Sequence, residues 1–251
     1  MSTAAPLPAS SRPRIALRRK SPFFLMLGLL MLVLAIGGFW PQYFSAVIGR
    51  PPQASTQFWL IHLHAAIFVA WMLAYISQAA MVTTGRTAIH LKIGPWLAGF
   101  GFVAALFGLF VALKLAVRLG EREGNFEDAA SFVFFPLIDM VYLAGFLAVA
   151  VAFRKRPEIH KRAMFLATFS VAVVGLGRLI GKTGIDNPFI WQPLILAPLA
   201  IALVFDAAVC RKVYAVMVAG VIVHLIRLNA EPFVATEWWL PVGKALIAPL
   251  R

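Results

Sequence analysis

Long apolar stretches follow one another along almost the whole chain, at about 22–40, 58–83, 95–117, 129–153, 161–181, 190–209 and 213–229, with only short polar segments between them. About 20 apolar residues in helical form cross the hydrocarbon core of a bilayer. No water is available there, so a spanning segment must satisfy its own backbone, and a helix does so within one segment. The pattern therefore predicts an all-α fold, a polytopic membrane helix bundle of seven transmembrane helices. The last stretch is the shortest, and six spans plus an interfacial helix is the alternative. Composition agrees: 61% of the 251 residues are hydrophobic and 13% charged, against about 45–50% and 25% in soluble domains. The expected division is a basic cytoplasmic tail at 1–21, the transmembrane bundle at 22–229 and a short outer-face C-terminal segment at 230–251. No length is left for a separate soluble domain.

The basic residues set the orientation. With the N-terminus cytoplasmic, the inner segments carry the bunch from Arg12 to Lys20, then Arg86 and Lys92, the bunch from Arg154 to Arg162, and Arg211 with Lys212. Together these are most of the chain's 23 Lys and Arg, as the positive-inside rule requires. Of the ten acidic residues only Glu158 and Asp206 fall inside. The basic start followed by an apolar run resembles a signal peptide, but the run is long and no small-x-small site follows it. An uncleaved first span is expected. Trp40, Trp59, Trp96, Trp191, Trp238 and Trp239 sit at the predicted span ends, as an aromatic belt would place them. The formal net charge of +13 is spread over juxtamembrane bunches, which suits anionic lipid head groups and not nucleic acid. A multi-pass protein of a bacterial inner (plasma) membrane is expected.

Motifs exclude several classes of chemistry. The single cysteine, Cys210, forbids an internal disulfide and a thiolate metal cluster; beside Arg211 and Lys212 it is expected to be a reduced cytoplasmic thiol. HExxH, serine-nucleophile, glycine-loop and nucleotide signatures are absent, so hydrolase and ATPase chemistry lacks its parts. The sequence assigns no catalytic residue.

What stands out instead are ionisable residues within the apolar runs, where such groups are costly and mark function. On the second stretch His62 and His64 are two apart, which turns a helix by about 200°, so they cannot face one point. His64 heads the stripe Phe68, Trp71, Tyr75 and Gln78, which should face the bundle interior. His224 lies five residues before Asn229 on an outward-running helix, at a depth similar to His64. Arg178, in Gly175-Leu-Gly-Arg-Leu, falls at a comparable level, where the glycines permit close approach of a helix or a flat ligand. Two imidazoles and a guanidinium would suit a six-coordinate haem b, with His64 and His224 as its metal ligands and Arg178 on a propionate. The competing use is a proton or substrate pathway, with Asp139 as the titrating carboxylate, Arg178 its counter-charge and Tyr142 one helical turn away. A third use is simply a hydrogen bond from each histidine to a neighbouring helix.

Two cytoplasmic segments look alike. Arg86-Thr-Ala-Ile-His90-Leu-Lys92 enters the third span, and Arg156-Pro-Glu-Ile-His160-Lys-Arg162 enters the fifth. Both place Arg four residues before His and another cation two residues after, which suggests a duplicated helix-pair unit. Pro157 suits a first helical turn. His160, Lys161 and Arg162 then stand at a helix N-terminus, where cations oppose the helix dipole and an anion such as a lipid phosphate should compensate. His90 and His160 could also form a second histidine-ligated centre.

The segments Gly85-Arg-x-x-x-His90-x-x-x-Gly94 and Pro157-Glu-x-His160-Lys-Arg-Ala-Met resemble ones in bacterial multi-span membrane proteins of no assigned activity, over about half the chain. A looser likeness is to histidine-rich b-type cytochrome bundles, cytochrome b561 and the haem a synthases, which pair histidines across neighbouring helices near each membrane face. Here the inner histidines fall in or beside loops. That likeness implies haem-binding electron transfer with a redox partner or membrane complex. The alternative is a small-solute or proton-coupled permease, or a non-catalytic accessory subunit. Whether the protein is an enzyme is left open by the sequence.

Overall fold

A computed structural model describes residues 21–45 and 58–250. Among them every regular element is helical. In chain order these are α1 (Phe23–Phe39, continued by a π-turn Trp40–Phe44), α2 (Phe58–Thr83), α3 (Thr87–Glu123), α4 (Phe126–Ala152), α5 (Pro157–Gly181), α6 (Pro188–Ala208), α7 (Ala215–Leu228), the single turn α8 (Glu231–Val234) and α9 (Leu240–Ile247). Most of the basic N-terminal tail lies outside the described residues.

Five helices, α2 to α6, are long and apolar enough to cross a membrane, which makes the protein a membrane helix bundle. The first and last expected spans are present as shorter apolar helices: α1 has 17 residues and α7 has 14. At 1.5 Å per residue α7 reaches only about 21 Å, short of the roughly 30 Å hydrocarbon core. Conversely, α3 has 37 residues and extends well past the predicted 95–117.

Local signals explain the boundaries. Gly124 (φ 67°) ends α3 in the left-handed conformation that glycine adopts without strain. Asn125 then caps α4 by accepting from the backbone N–H of Glu127 at 2.9 Å and of Asp128 at 3.3 Å. Pro157 and Pro188 are the first residues of α5 and α6, where the missing N–H costs nothing. Arg211, at φ 53°, turns the chain between α6 and α7 into a helical hairpin.

Packing separates a body from this hairpin. The widest faces join α3 to α4, α4 to α5 and α1 to α5, while α6 and α7 meet each other and α5 over narrower faces. Small residues let the body helices close. A methyl group on Gly38 of α1 would lie 2.0 Å from the Gly175 carbonyl oxygen of α5, so the two backbones touch. Gly101 seats the Trp71 ring and Leu147, and Gly108 seats Phe68 and Met140. Trp96, Leu106, Leu91 and Val103 are among the large apolar side chains turned outward, as a lipid-facing surface requires.

The C-terminal segment folds back. Val234, Trp239 and Ile247 form a second apolar cluster with Ala116 and Val117 of α3 and Ala129 and Val133 of α4. The Trp239 indole donates to the Ala130 carbonyl at 2.9 Å, and Lys244 pairs with Glu127 at 2.6 Å. Trp239 is therefore a buried anchor here, not a member of the belt, whereas Trp40, Trp59, Trp96 and Trp238 are exposed.

Candidate functional site

The polar groups inside the bundle form two ion-paired nodes, and α5 passes from one to the other. At the first node Asp139, halfway along α4 and 1% exposed, receives two hydrogen bonds from Arg227 in the last turn of α7. The Nη2–Oδ2 distance is 2.7 Å, and Nε donates to the second oxygen. This two-pronged grip is the strong form of a guanidinium–carboxylate contact, and the end of α7 is where a helix dipole favours a cation. Arg227 is also on the wall of an open cleft of about 460 Å³, with Phe135, Gly177, Asp186, Trp191 and Glu231 around it. Arg178, expected to be the counter-charge of Asp139, lies elsewhere: its guanidinium is 4.9 Å from the Phe39 ring of α1. Successive residues of a helix face different neighbours, and the Gly177 side of α5, not the Arg178 side, lines the cleft.

Below this pair the polar groups continue inward. Tyr142 donates to the Val223 carbonyl at 2.9 Å, and its ring centroid is 5.3 Å from that of His224. His224 is fully buried, with Phe169 at 4.9 Å and Phe146 stacked at 6.2 Å. Its Nδ1 lies 2.7 Å from the Gly220 carbonyl, which makes Nδ1 the donor, and its Nε2 lies 3.4 Å from the Ser170 hydroxyl. That hydroxyl also stands 3.0 Å from the Leu166 carbonyl, so one proton serves two acceptors. Tyr142 and His224 thus share one layer of the bundle.

His64 is not brought to His224. The helices α2 and α7 share no extended packed face. The His64 ring lies 4.7 Å from Phe68, which packs against Gly108 of α3, and its buried Nδ1 has no hydrogen-bond partner. A porphyrin reaching Nε2 of His224 would have to displace the Ser170 contact and the surrounding rings. The interior stripe itself is buried as expected, from Phe68 through Trp71 and Tyr75 to Gln78. His62 meets Tyr43 instead, at 2.6 Å, and burial raises the pKa of that phenol, which keeps it neutral.

The second node answers the question of what compensates the cations that open α5. Arg162 is fully buried. Its Nε donates to Asp206 of α6 at 2.7 Å and Nη2 to the other carboxylate oxygen, while Nη1 reaches Glu158 at 2.7 Å. Lys161 pairs with Glu158 at 2.7 Å, and the Arg162 guanidinium lies 3.6 Å from the Tyr214 ring centroid. The anion expected from a lipid phosphate is thus supplied to Lys161 and Arg162 by the chain. Sequence reasoning passed over Arg162, Asp206 and Arg227 as functional groups. The available signal was an aspartate within the apolar run Ile201-Ala-Leu-Val-Phe-Asp206.

His90 and His160 do come together: their ring centroids are 6.2 Å apart and the planes nearly perpendicular. Among the described residues no three His, Cys, Asp or Glu side chains converge as a metal cluster would. Comparison with known proteins adds no relative: no protein-family profile, curated protein or solved structure matches the chain.

Proposed function

We propose that the protein is a proton-coupled permease for small polar solutes, a seven-span protein of a bacterial inner membrane with a cytoplasmic N-terminus and an outer cleft for its solute. The observation that carries this reading is the buried Asp139–Arg227 pair at the wall of an open cleft. Charges taken out of water inside a bundle are costly unless paired, and where they occur they mark ion and substrate paths. The cleft offers a guanidinium with N–H groups to spare, two carboxylates (Asp186 and Glu231) and aromatic walls, which suits a small solute bearing both acceptor and donor groups.

The same pair links the α6–α7 hairpin to α4. A proton arriving on the Asp139 carboxylate removes the charge that holds Arg227, and the outer end of the hairpin is released. At the inner face Arg162 and Asp206 join α5 to α6 in the same manner. Between the nodes lie Leu166 and Met217, both fully buried, with Leu166 packed onto Gly220. These apolar groups close the path while both pairs are formed. Opening one pair while the other holds would expose the middle of the bundle to one side at a time. The exposed bunch Arg154, Lys155 and Arg156 is suited to anionic head groups on the cytoplasmic side.

Purified protein in liposomes loaded with a pH-sensitive dye tests this. Amino acids, short carboxylic acids and sugars are added outside in turn. Acidification of the lumen with at least one class, lost in Asp139→Asn, is the expected result. No response to any class, or a response indifferent to Asp139→Asn, contradicts the proposal.

A second reading, a haem-based electron carrier working with a membrane redox partner, draws support from one observation, the adjacency of His90 and His160.

A further inference from the structure

We infer that the cleft beside Arg227 is a binding site for a free α-amino acid with an uncharged, apolar side chain, held as its zwitterion. What becomes of the solute after binding rests on the permease reading. The class of solute follows from the groups that line the cleft.

The first of these groups is the unused edge of Arg227. A guanidinium offers carboxylates two parallel pairs of N–H groups, one along its Nε–Nη2 edge and one along its Nη1–Nη2 edge. Asp139 occupies the first, accepting from Nε and from Nη2. The second edge meets no acceptor among the described residues, and Arg227 lines the cleft. A ligand carboxylate can therefore take it in the same two-pronged manner without displacing Asp139. Two carboxylates on one guanidinium leave an excess of negative charge, which an ammonium group beside them would offset. The partners for that ammonium are Asp186 and Glu231, which also line the cleft and carry no ion pair among the described residues. A plain carboxylic acid would face both of these like charges, and a plain amine would leave the Arg227 edge unfilled. A zwitterion satisfies both ends.

The second feature is a pair of glycines that helix packing does not explain. Gly177 and Gly181 are four residues apart on α5, so they share one side of the helix, and both line the cleft. Gly38 and Gly175 have no room for a side chain, because there α1 and α5 touch. By contrast, a methyl group on Gly181 would meet no atom within 4 Å, and one on Gly177 would meet only Ile195, at 3.9 Å. Glycine lowers helix stability relative to alanine, yet neither position needs it for contact with a neighbouring helix. What these two glycines do is keep the cleft clear, so that a ligand can come close to the α5 backbone. The rest of the lining includes Ile180, Ile195, Trp191 and Phe135, which suits an apolar side chain and not the hydroxyls of a sugar. At about 460 Å³ the cleft lies within the roughly 300–1,000 Å³ typical of small-molecule sites.

Equilibrium binding of tritiated L-leucine to the protein purified in detergent tests the ligand class apart from transport. The competitors are 4-methylvalerate, which lacks the amine, 3-methylbutylamine, which lacks the carboxylate, and glucose. Saturable leucine binding is expected, with each singly charged analogue on the order of 100-fold weaker, as when a charge loses its partner, and with glucose inactive. The double change Asp186→Asn with Glu231→Gln should remove the preference for leucine over 4-methylvalerate. Gly181→Leu, which fills the cleft from a position with open space around it, should abolish leucine binding while the unfolding temperature without ligand stays that of the parent. Leucine binding with this pattern, in a protein that moves no protons in liposomes, upholds the ligand class and contradicts the permease reading alone. Absence of saturable leucine binding, an analogue that competes as well as leucine, or binding indifferent to Gly181→Leu and to the double change overturns the inference. Proton flux with a sugar or a simple carboxylic acid would then leave the permease reading standing without it.

Discussion

At the scale of single residues, the buried charges dominate. Arg162 and Asp206 are both inaccessible to solvent, so removing one partner leaves the other ionised without its counter-ion. Asp206→Asn should destabilise the protein by about 3–5 kcal/mol, while the double change Arg162→Met with Asp206→Leu should be close to neutral in stability, as for other buried pairs exchanged for apolar groups. Thermal unfolding in detergent measures both, and a mild Asp206→Asn would show that the pair contributes little. Residue-level reading of the sequence succeeded where periodicity alone decides: the stripe from His64 to Gln78 is an interior face because positions three and four apart share a side of a helix. It failed where pairing crosses the chain. Asp139 and Arg227 are 88 residues apart, and no local pattern distinguishes Arg227 from Arg178 as the partner. His90 and His160 were legible for the opposite reason, since the same local segment occurs twice.

At the scale of elements, the decisive contact is the crossing of α1 and α5. With the Gly38 and Gly175 backbones in contact, any side chain at either position must push the helices apart. Gly38→Leu should cost at least the 1–3 kcal/mol typical of overpacking and lower the unfolding temperature by several degrees. A variant as stable as the parent would mean that α1 does not rest on α5. The helix lengths show why hydropathy finds spans better than helix ends. Apolar content marks what lipid can touch, but α3 continues through Lys114, Arg118 and Glu121 because these are good helix formers whether or not they lie in lipid. In α7 the opposite occurs. Its apolar run begins before the helix does, since Val213 and Tyr214 still belong to the turn, and Asn229 closes it by donating its backbone N–H and side-chain amide to the last carbonyls.

At the scale of the molecule, a body of α1 to α5 carries a hairpin of α6 and α7, packed on α5 over narrow faces and joined to the body by the Asp139–Arg227 and Arg162–Asp206 pairs. The C-terminal segment clamps the end of α3 to the start of α4. The bundle class was written in the sequence because a bilayer allows few solutions to a run of apolar segments. The arrangement of the hairpin was not, since it depends on which helices meet, and that follows from side-chain shape across long separations. The central claim is that the Asp139–Arg227 pair is reached from the outer face while the inner node is closed to it. Single-cysteine labelling with a membrane-impermeant maleimide in intact cells tests this most directly. Ile180, in the cleft wall, is changed to cysteine with Cys210→Ser, and the native chain with Cys210 alone serves as the inner-face probe. The expected result is labelling of Ile180→Cys from outside and of Cys210 only after the membrane is opened; labelling of Cys210 in intact cells, with Ile180→Cys protected, would contradict it.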